Sequence, residues 1–278
     1  MDENAARQKK ERLVNLIQDL NSVLVAFSGG VDSTFLLALS HKELGDKVIA
    51  ATADSPAYPP WEREEAVRFT KKEGIHHIIF KSDETAISEF AANQPDRCYY
   101  CKKSLSRTLK QLAHDKGIRH VVFAANTDDL NDYRPGMKAA TEMGILSPLI
   151  DVQLTKEEIR FLSKEMGLST WDKPAMACLA SRIPYGTPIT LEKLQMVTMA
   201  EAFLANEGFR QYRVRHHGSV ARIEVEQLEW KRFTDTNLRD RITERFREIG
   251  FTHIALDLDG YVSGSLNRVL NKENYYGS

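Results

Sequence analysis

The sequence predicts an α/β fold in which helices flank a parallel sheet, followed by a smaller C-terminal α+β domain. Short apolar runs rich in β-branched residues alternate with amphipathic stretches over residues 1–186, which is typical of a parallel sheet with helices on both faces. A glycine-rich turn follows the first run, and a segment with two prolines and a glycine at residues 182–188 ends the alternation. We therefore predict one domain over residues 1–186 and another over residues 187–278.

Four apolar runs of the first domain have the length of buried strands. They lie at residues 23–27, 48–52, 77–80 and 121–124. Amphipathic or apolar stretches predict helices at residues 13–20, 34–39 and 61–73, after Cys98, and from Thr155 onward. Thr155 and Glu158 have the spacing of a capping box, which fixes the start of the last of these helices.

Beyond residue 187 the pattern is that of a mixed α+β domain. In order, the predicted elements are a helix at 191–206, a hairpin with strands at 212–216 and 220–226, a charged amphipathic helix at 228–249 and a strand at 253–257. Residues 271–278 are expected to form a frayed tail.

Composition places the chain among ordinary globular proteins. Of its 278 residues, 42% are hydrophobic and 28% are charged, and the formal net charge of -1 lacks the basic excess of a general nucleic-acid-binding protein. The polar N-terminus, and the absence of any apolar run of about 18 residues, predict a cytoplasmic protein without a membrane segment. Three cysteines in a reducing compartment argue against a disulfide framework.

The turn after the first predicted strand has the composition of an anion-binding loop. Its residues are Ser28, Gly29, Gly30, Val31, Asp32, Ser33 and Thr34. Because the turn connects a strand to a helix, backbone amides and the positive end of the helix can converge there on a phosphate. The lysine of a Walker loop is missing from it. A plain glycine-rich turn is the alternative, but the serines and the aspartate favour an anion-binding loop.

This loop resembles the pyrophosphate loop of the PP-loop ATP pyrophosphatases. Residues 126–129 and 132–136 resemble the second nucleotide-binding element of that family, and the first of them follows the fourth strand, where open α/β sheets bind ligands. The resemblance implies that ATP is cleaved between its α and β phosphates, that Mg²⁺ binds through Asp32, and that Asn126 contacts the nucleotide. A turn with a helix cap is the alternative for residues 126–129.

The three cysteines raise the question of metal binding. Cys98 and Cys101 begin a predicted helix among basic residues, while Cys178 lies in a separate segment. A positive helix end and basic neighbours favour thiolates, which can bind one metal or oxidise together. Three thiolates suit a [4Fe-4S] cluster with one open iron, whereas structural zinc prefers four ligands. Inert cysteines, a redox pair and a zinc site are the alternatives.

Segments along nearly the whole chain resemble the LarE family of ATP-dependent sulfur transferases in nickel-pincer nucleotide biosynthesis. They are residues 53–60, 97–103, 132–136, 171–186 and 213–215. The resemblance implies that a carboxylate of pyridinium-3,5-dicarboxylate mononucleotide is adenylated and converted to a thiocarboxylate, with release of AMP and pyrophosphate. It also implies that Asp54 belongs to the nucleotide site and that Asp32, Ser33 and Cys178 are catalytic.

Members of this family deliver sulfur in two ways. In one subgroup a single cysteine gives up its own sulfur and becomes dehydroalanine, and Cys178 occupies the matching segment. In the other subgroup three cysteines hold a [4Fe-4S] cluster whose open iron carries the transferable sulfide. Because Cys98 and Cys101 are present, the sequence departs from the first pattern, and we predict that Cys98, Cys101 and Cys178 bind the cluster.

The substrate that the resemblance implies has a phosphate and two carboxylates, so its pocket should contain cations. Arg213 and Arg215 lie two apart in a predicted strand, so their side chains share a face and could bind an oxyanion bidentately. The resemblance points to the same two residues. Pairing with Glu224 and Glu226 across the hairpin is the alternative.

Four further residues are candidates for binding roles. Ser181 and Arg182 follow Cys178 and are candidate substrate or anion contacts, with a solvated loop as the alternative. The resemblance further implies that Glu201 and Glu224 help to hold a divalent metal ion, although single glutamates on a helix and a strand are usually solvated.

Three other functions fit parts of the pattern. A PP-loop tRNA thiolase can also carry a Cys-x-x-Cys pair and a later cysteine, but the near-neutral charge of this chain argues against RNA. Amide-forming PP-loop synthetases do not need the cysteines, and a non-catalytic nucleotide- or metal-binding regulator would not need Asp32 and Ser33. We expect a small-molecule substrate, no nucleic-acid or membrane partner and, from the resemblance, a homo-oligomer; the sequence does not indicate the sulfide source.

Overall fold

The computed structural model describes residues 1–131, 134–175, 177–262 and 264–272. Contacts divide the chain into two compact units. The first consists of residues 1–55, 59–83 and 98–176, and the second consists of residues 56–58, 84–97 and 177–278. Three parts of the predicted pattern lie outside the described residues, namely Asp132 and Tyr133 of the second nucleotide element, Met176 of the segment 171–186, and residues 273–278 of the predicted tail.

The described elements alternate as the sequence predicts. The strands are β1 (Val23–Ala26), β2 (Val48–Asp54), β3 (His76–Lys81), β4 (His120–Val122), β5 (Tyr212–His217), β6 (Val220–Val225) and β7 (His253–Leu256). The α-helices are α1 (Glu3–Leu20), α2 (Val31–Leu44), α3 (Pro60–Glu73), α4 (Ser88–Ala91), α5 (Arg97–Asp115), α6 (Pro135–Glu142), α7 (Pro148–Asp151), α8 (Lys156–Glu165), α9 (Leu191–Asn206), α10 (Thr236–Ile249) and α11 (Arg268–Lys272). None of the helices in the described ranges has the length and hydrophobicity needed to cross a membrane.

The described strands of the first unit form a parallel sheet in the order β3-β2-β1-β4. Alternate residues of β1 face opposite sides, as strand geometry requires. Val23 and Val25 are buried in a cluster with α1, α2 and α8, whereas Leu24 packs with Leu109 and Ala113 of α5 on the other face. The predicted parallel sheet with helices on both faces is therefore confirmed.

The second unit is the smaller α+β part. Strands β5 and β6 form the predicted antiparallel hairpin, and β7 adds to β6 in parallel. Helices α9 and α10 cover this sheet, where Leu204, Val214, Ile223 and Phe246 are buried together. The smaller C-terminal α+β fold is therefore also confirmed.

The last boundary between the units lies at residues 176 and 177, whereas the sequence predicted a single boundary at 186 and 187. Residues 56–58 and 84–97, which the prediction assigned to the first domain, also belong to the second unit. Asn93 explains part of the difference, because its side-chain amide donates to the carbonyls of Pro184 and Thr187, each over 2.8 Å. The Gly186 amide donates in turn to the Asn93 carbonyl over 3.0 Å. The proline-rich segment thus packs on residues 84–97 instead of forming a linker.

The prediction of one continuous helix over residues 228–249 is wrong. A 3₁₀ helix occupies Gln227–Thr234, and α10 begins only after Asp235. Asp235 has an extended backbone (φ −70°, ψ 115°), and its side chain accepts a hydrogen bond from the Asn237 amide over 2.9 Å. An aspartate that caps a helix in this way favours a new start over continuation of the preceding turn.

A half-buried histidine supports the end of β1. The Thr52 hydroxyl donates to the Phe27 carbonyl over 2.6 Å, and His77 Nε2 lies 2.8 Å from the same hydroxyl oxygen. His77 Nδ1 lies 2.9 Å from the Thr70 hydroxyl. Burial, together with the neighbouring charge of His76, lowers the pKa of His77 to about 4.

This pKa makes the stability of the fold depend on pH. A histidine in the unfolded chain binds a proton below about pH 6.5, whereas His77 in the folded protein binds it only near pH 4. The free energy of unfolding should therefore fall as the pH decreases from about 6.5 towards 4. His77→Gln does not titrate, so it should lose less stability than the wild type between about pH 7 and about pH 5 in urea unfolding. Equal losses of unfolding free energy in the two proteins would contradict the lowered pKa of His77.

Candidate active site

The glycine-rich loop connects β1 to α2 at the carboxyl edge of the parallel sheet. The hydroxyl oxygens of Ser28 and Ser33 lie 3.0 Å apart, and Ser33 donates to the Gly30 carbonyl over 3.2 Å. Gly29 has a φ of +73°, and a Cβ there would lie 3.3 Å from the Glu62 carbonyl oxygen. Both the backbone angle and the close approach of α3 therefore favour glycine at position 29.

Helix α2 begins directly after this loop. Its N-cap residue, Gly30, provides no side-chain hydrogen bond to the first amides of the helix. Those amides and the helix dipole create a positive potential at the loop, and a phosphate there can accept hydrogen bonds from the amides. The Thr34 hydroxyl oxygen in the first turn is buried and has no hydrogen-bond partner among the described residues. The start of α2 thus has the chemistry of an anion site.

Asp32 adds a carboxylate to the first turn of α2. Its Oδ2 accepts a hydrogen bond from Lys156 Nζ over 2.6 Å, while its Oδ1 is buried and has no hydrogen-bond partner among the described residues. Burial raises the pKa of Asp32, and the charge of Lys156 opposes that increase. A carboxylate oxygen with an unused acceptor position is a suitable ligand for Mg²⁺.

Asn126 and Asp54 lie at the carboxyl ends of β4 and β2, at the same edge of the sheet. Asn126 is buried, and its side-chain oxygen accepts a hydrogen bond from the Asp128 amide over 2.9 Å. Asp54 is paired with Lys81 and Arg63, and the hydrogen bond from Lys81 is the main cause of its lowered pKa. The carboxyl edge of the sheet thus collects the predicted nucleotide-binding residues.

Two lysines that the sequence analysis did not single out hold this loop. Lys173 Nζ donates to the Gly29 carbonyl over 3.1 Å and pairs with Glu62 at 2.8 Å and Glu65 at 2.6 Å. Lys156, at the start of α8, binds Asp32 as described above, and the capping box at Thr155 predicts the position of that helix start. Lys173 gives no comparable local signal, because it follows the loop by 144 residues.

The cysteines are divided between the two units. Cys98 is exposed and Cys101 is buried, both at the start of α5, whereas Cys178 is half-buried and precedes the 3₁₀ helix Leu179–Arg182 of the second unit. No disulfide joins them. Among the residues that the structure describes, no group of three or more His, Cys, Asp or Glu side chains is assembled to hold a metal ion. The iron-sulfur ligands therefore remain a prediction.

Arg182 and Glu201 form a completely buried ion pair in the second unit. The guanidinium donates to both carboxylate oxygens, over 2.7 and 3.0 Å, and neither side chain is exposed. Arg182 Nη1 also donates to the carbonyls of Ala177 and Cys178 over 2.8 and 3.1 Å. This environment differs from the predicted substrate contact, because the guanidinium is enclosed and fixes the backbone on both sides of the residue 177–178 peptide bond.

Arg215 binds Glu224 across the hairpin, which is the alternative that the sequence left open. Its guanidinium donates to the carboxylate over 2.9 and 2.7 Å, and Arg215 Nη1 donates to the Ser181 carbonyl over 2.7 Å. Arg213 is also buried; its guanidinium donates to the Tyr212 carbonyl, and burial near Arg182 lowers its pKa to about 10. The two predicted arginines therefore share an interior location.

The glutamates predicted to hold a divalent metal ion are both bound by arginine. Glu201 pairs with Arg182 and also accepts a hydrogen bond from the Val214 amide over 3.0 Å. Glu224 pairs with Arg215 and, over 3.0 Å, with Arg222. The Ser181 hydroxyl oxygen accepts a hydrogen bond from Arg182 over 3.0 Å. These contacts give both carboxylates a structural role, and metal binding by them remains a prediction.

The parallel sheet, the loop after β1 and the residues at its carboxyl edge define a PP-loop nucleotide-binding protein. The tRNA-specific 2-thiouridylase MnmA of Rickettsia conorii is 27% identical over 201 residues, which cover 59% of this chain and 54% of that protein. No protein-family model matches the chain.

Two relatives extend over nearly the whole chain. An uncharacterised protein of Synechocystis is 43% identical over 264 residues, which cover 95% of this chain and 98% of that protein. A pyridinium-3,5-bisthiocarboxylic acid mononucleotide synthase of Lactiplantibacillus plantarum is 37% identical over 265 residues, which cover 95% of each chain. This chain belongs to the family of that synthase, the LarE family, and is accordingly an enzyme.

The buried ion pair generates a prediction about stability and about Cys178. Glu201→Leu leaves the Arg182 charge buried without its partner and should lower the free energy of unfolding by about 3–5 kcal/mol. The double variant Arg182→Met/Glu201→Leu removes both charges, so it should regain part of that loss. Urea unfolding of Arg182→Met, Glu201→Leu, the double variant and the wild type measures this coupling.

A second measurement on the same variants separates stability from positioning. Since Arg182 binds the Cys178 carbonyl, the double variant should react with a thiol reagent at Cys178 at a rate different from that of the wild type, even where it remains folded. The reaction is followed in a Cys98→Ser/Cys101→Ser background, so that only Cys178 is modified. If the stability losses of the single variants were strictly additive in the double variant, and Cys178 reacted at an unchanged rate, the ion pair would neither couple the two charges nor position Cys178.

Proposed function

We propose that this protein is an ATP-dependent sulfur transferase that converts a carboxylate of pyridinium-3,5-dicarboxylate mononucleotide to a thiocarboxylate. The observation that carries the proposal is the uncapped start of α2 beside the Ser28–Ser33 loop, with Asp32 in the first helical turn. The relative from Lactiplantibacillus plantarum is a synthase of a bisthiocarboxylic acid mononucleotide. Together they support a nucleotide-activated conversion of carboxylate to thiocarboxylate.

Activation has to precede sulfur transfer, because a carboxylate is a poor acyl donor. In the proposed reaction, a substrate carboxylate oxygen attacks the α-phosphorus of ATP, and the bond to the bridging oxygen of the β-phosphate breaks. Pyrophosphate leaves with the bonding electrons, and the amides at the start of α2 stabilise its charge. The product is an acyl adenylate, whose AMP group is a good leaving group.

Sulfur then replaces AMP. A sulfur nucleophile attacks the activated acyl carbon, the carbon–oxygen bond to AMP breaks, and the thiocarboxylate and AMP are the products. The second carboxylate would consume another ATP and another sulfur atom in the same way. A closed site would favour sulfur over water as the nucleophile.

Mg²⁺ fits the first unit through Asp32. Its buried Oδ1 has an unused acceptor position among the described residues, and carboxylate oxygens are preferred Mg²⁺ ligands. The bound ion would supply positive charge to the phosphates of ATP. Lys156 holds the other carboxylate oxygen and keeps the side chain in place.

For sulfur delivery, we propose that Cys98, Cys101 and Cys178 bind a [4Fe-4S] cluster. The donor chemistry fits, since the cysteines supply three thiol groups without a disulfide between them. When bound, such a cluster supplies a transferable sulfide. Sacrificial use of the Cys178 sulfur, which leaves dehydroalanine, is the alternative.

A tRNA thiolase is the second candidate function, and the similarity to MnmA supports it. The two functions share activation by ATP but differ in the acceptor. Pyrophosphate release stimulated by the pyridinium dicarboxylate mononucleotide, and not by tRNA, would support the first function.

Metal and mass analysis distinguishes the two routes of sulfur delivery. After anaerobic purification, we expect about four irons and matching acid-labile sulfide per chain, with no change in protein mass after turnover. Cys98→Ala, Cys101→Ala and Cys178→Ala should each abolish cluster binding. A protein that lacks iron and loses the mass of one hydrogen sulfide at Cys178 would establish the sacrificial route instead.

Asp32 provides a direct test of the nucleotide site. Asp32→Asn should lower Mg²⁺-dependent pyrophosphate release by about 100-fold or more, because a carboxylate that binds the metal is lost. The matched control is Asp46→Asn, which changes an exposed aspartate in the turn after α2. If Asp32→Asn and Asp46→Asn retained equal activity, Asp32 would not be the Mg²⁺ ligand.

The pH dependence of the same reaction tests the Asp32–Lys156 contact. Lys156 opposes the effect of burial on the pKa of Asp32. In Lys156→Met that pKa should rise further, so the loss of pyrophosphate release on acidification should begin at a higher pH than in the wild type. Coinciding acidic limbs in the two pH profiles would contradict this coupling.

A further inference from the structure

Arg97 is a buried cation whose guanidinium lacks a counter-charge among the described residues. The residue is only 3% exposed. Its Nε and Nη1 atoms are buried, and neither has a hydrogen-bond partner among the described residues. A guanidinium removed from water in this way carries a free-energy cost that an anion would offset.

The contact with Tyr185 leaves the donor edge of Arg97 available. The guanidinium carbon lies 4.7 Å from the centroid of the Tyr185 ring, so the ring covers one face of the cation. The N–H bonds of a guanidinium point outward in its plane and not towards its faces. Stacking therefore orients the group without using the donors that bind oxyanions.

Two other buried arginines of the second unit have carboxylate partners, unlike Arg97. Arg182 and Arg215 each have a bidentate carboxylate partner, Glu201 and Glu224 respectively. The carboxylates of Glu201 and Glu224 are therefore already paired with these two arginines. Arg97 is therefore the arginine in this set whose donors are not already satisfied by a carboxylate of the described chain.

One short segment connects Arg97 with the surroundings of Arg215. The Tyr185 hydroxyl donates to the Asn267 side chain over 2.9 Å, and Arg215 donates to the Ser265 hydroxyl oxygen over 2.9 Å. Both acceptors belong to the 3₁₀ helix Ser265–Asn267 of the second unit. Arg97 thus lies near the region where the sequence predicted cations for the substrate.

We propose that Arg97 binds an oxyanion of the acceptor substrate, a carboxylate or a phosphate, through the edge of its guanidinium. The proposal deepens the proposed function and rests on it for the choice of substrate. A carboxylate and a phosphate offer the same paired oxygens to a guanidinium edge, so both sources share one recognition chemistry. The sequence alone contains no signal for this role, because Arg97 stands there only as one of the basic residues beside Cys98 and Cys101.

Thermal unfolding and calorimetric titration of the full chain test the proposal with three probes, each used without ATP. The probes are inorganic phosphate, pyridine-3,5-dicarboxylate and pyridinium-3,5-dicarboxylate mononucleotide. We expect the mononucleotide to bind and stabilise the wild type, and Arg97→Met to weaken that binding by about 10- to 100-fold. Arg97→Lys keeps the charge but not the bidentate edge, so its affinity should lie between the two.

The unfolding temperature without probe separates binding from structure. Because Arg97→Met removes a buried charge without a partner, its unfolding temperature should equal or exceed that of the wild type. Arg232→Met is the matched control, since Arg232 also stacks on a ring, that of Phe209 at 3.9 Å, but is paired with Glu229. The control should bind the probes as the wild type does.

The three probes distinguish which group of the substrate Arg97 binds. A loss of phosphate binding in Arg97→Met assigns the phosphate group to Arg97, and a loss of dicarboxylate binding assigns a carboxylate. The proposal is overturned if Arg97→Met binds the mononucleotide as tightly as the wild type, or if no probe binds the wild type. Failure of the proposed function is a separate result, namely probe binding that depends on Arg97 without pyrophosphate release or thiocarboxylate formation when ATP and sulfide are added.

Discussion

The ion pair between Arg182 and Glu201 organises the second unit, because it joins three segments that are distant in sequence. Arg182 binds the carbonyls of Ala177 and Cys178, and Glu201 on α9 binds the Val214 amide of β5. Both charges are completely buried. Removing such a pair from water costs about as much as the attraction returns, so its main effect is to fix position. The backbone at Cys178 is thereby attached to the hairpin.

Paired charges have the same effect in the first unit. Lys173 binds the Gly29 carbonyl and two glutamates of α3, and Lys156 binds Asp32. Each lysine reaches the loop from more than a hundred residues further along the chain. The loop therefore depends on the completed fold for its conformation, although its glycines and serines are adjacent in the sequence.

This dependence explains which features the sequence could predict. The strands, the bounds of α9 and the capping box at Thr155 follow from patterns of a few neighbouring residues, and the structure has all of them. The break at Asp235 depends on a choice between continuing one helix and capping the next, which hydrophobic spacing does not encode. The partners of Arg182 and Lys173 are set by tertiary packing, and a single sequence contains no local signal for them.

The distribution of paired charges also bears on how the two units can handle anions. Near the loop, Lys156 and Lys173 are already neutralised by carboxylates, so the positive potential there comes mainly from backbone amides and the dipole of α2. Partial charges of this kind hold a phosphate less tightly than an unpaired lysine would, which suits the release of pyrophosphate in the proposed reaction. Arg97 in the second unit carries a full charge in a buried setting, and the proposed oxyanion would be bound there strongly and in one orientation. In the proposed reaction, such a difference would let pyrophosphate depart while the activated acceptor stays bound.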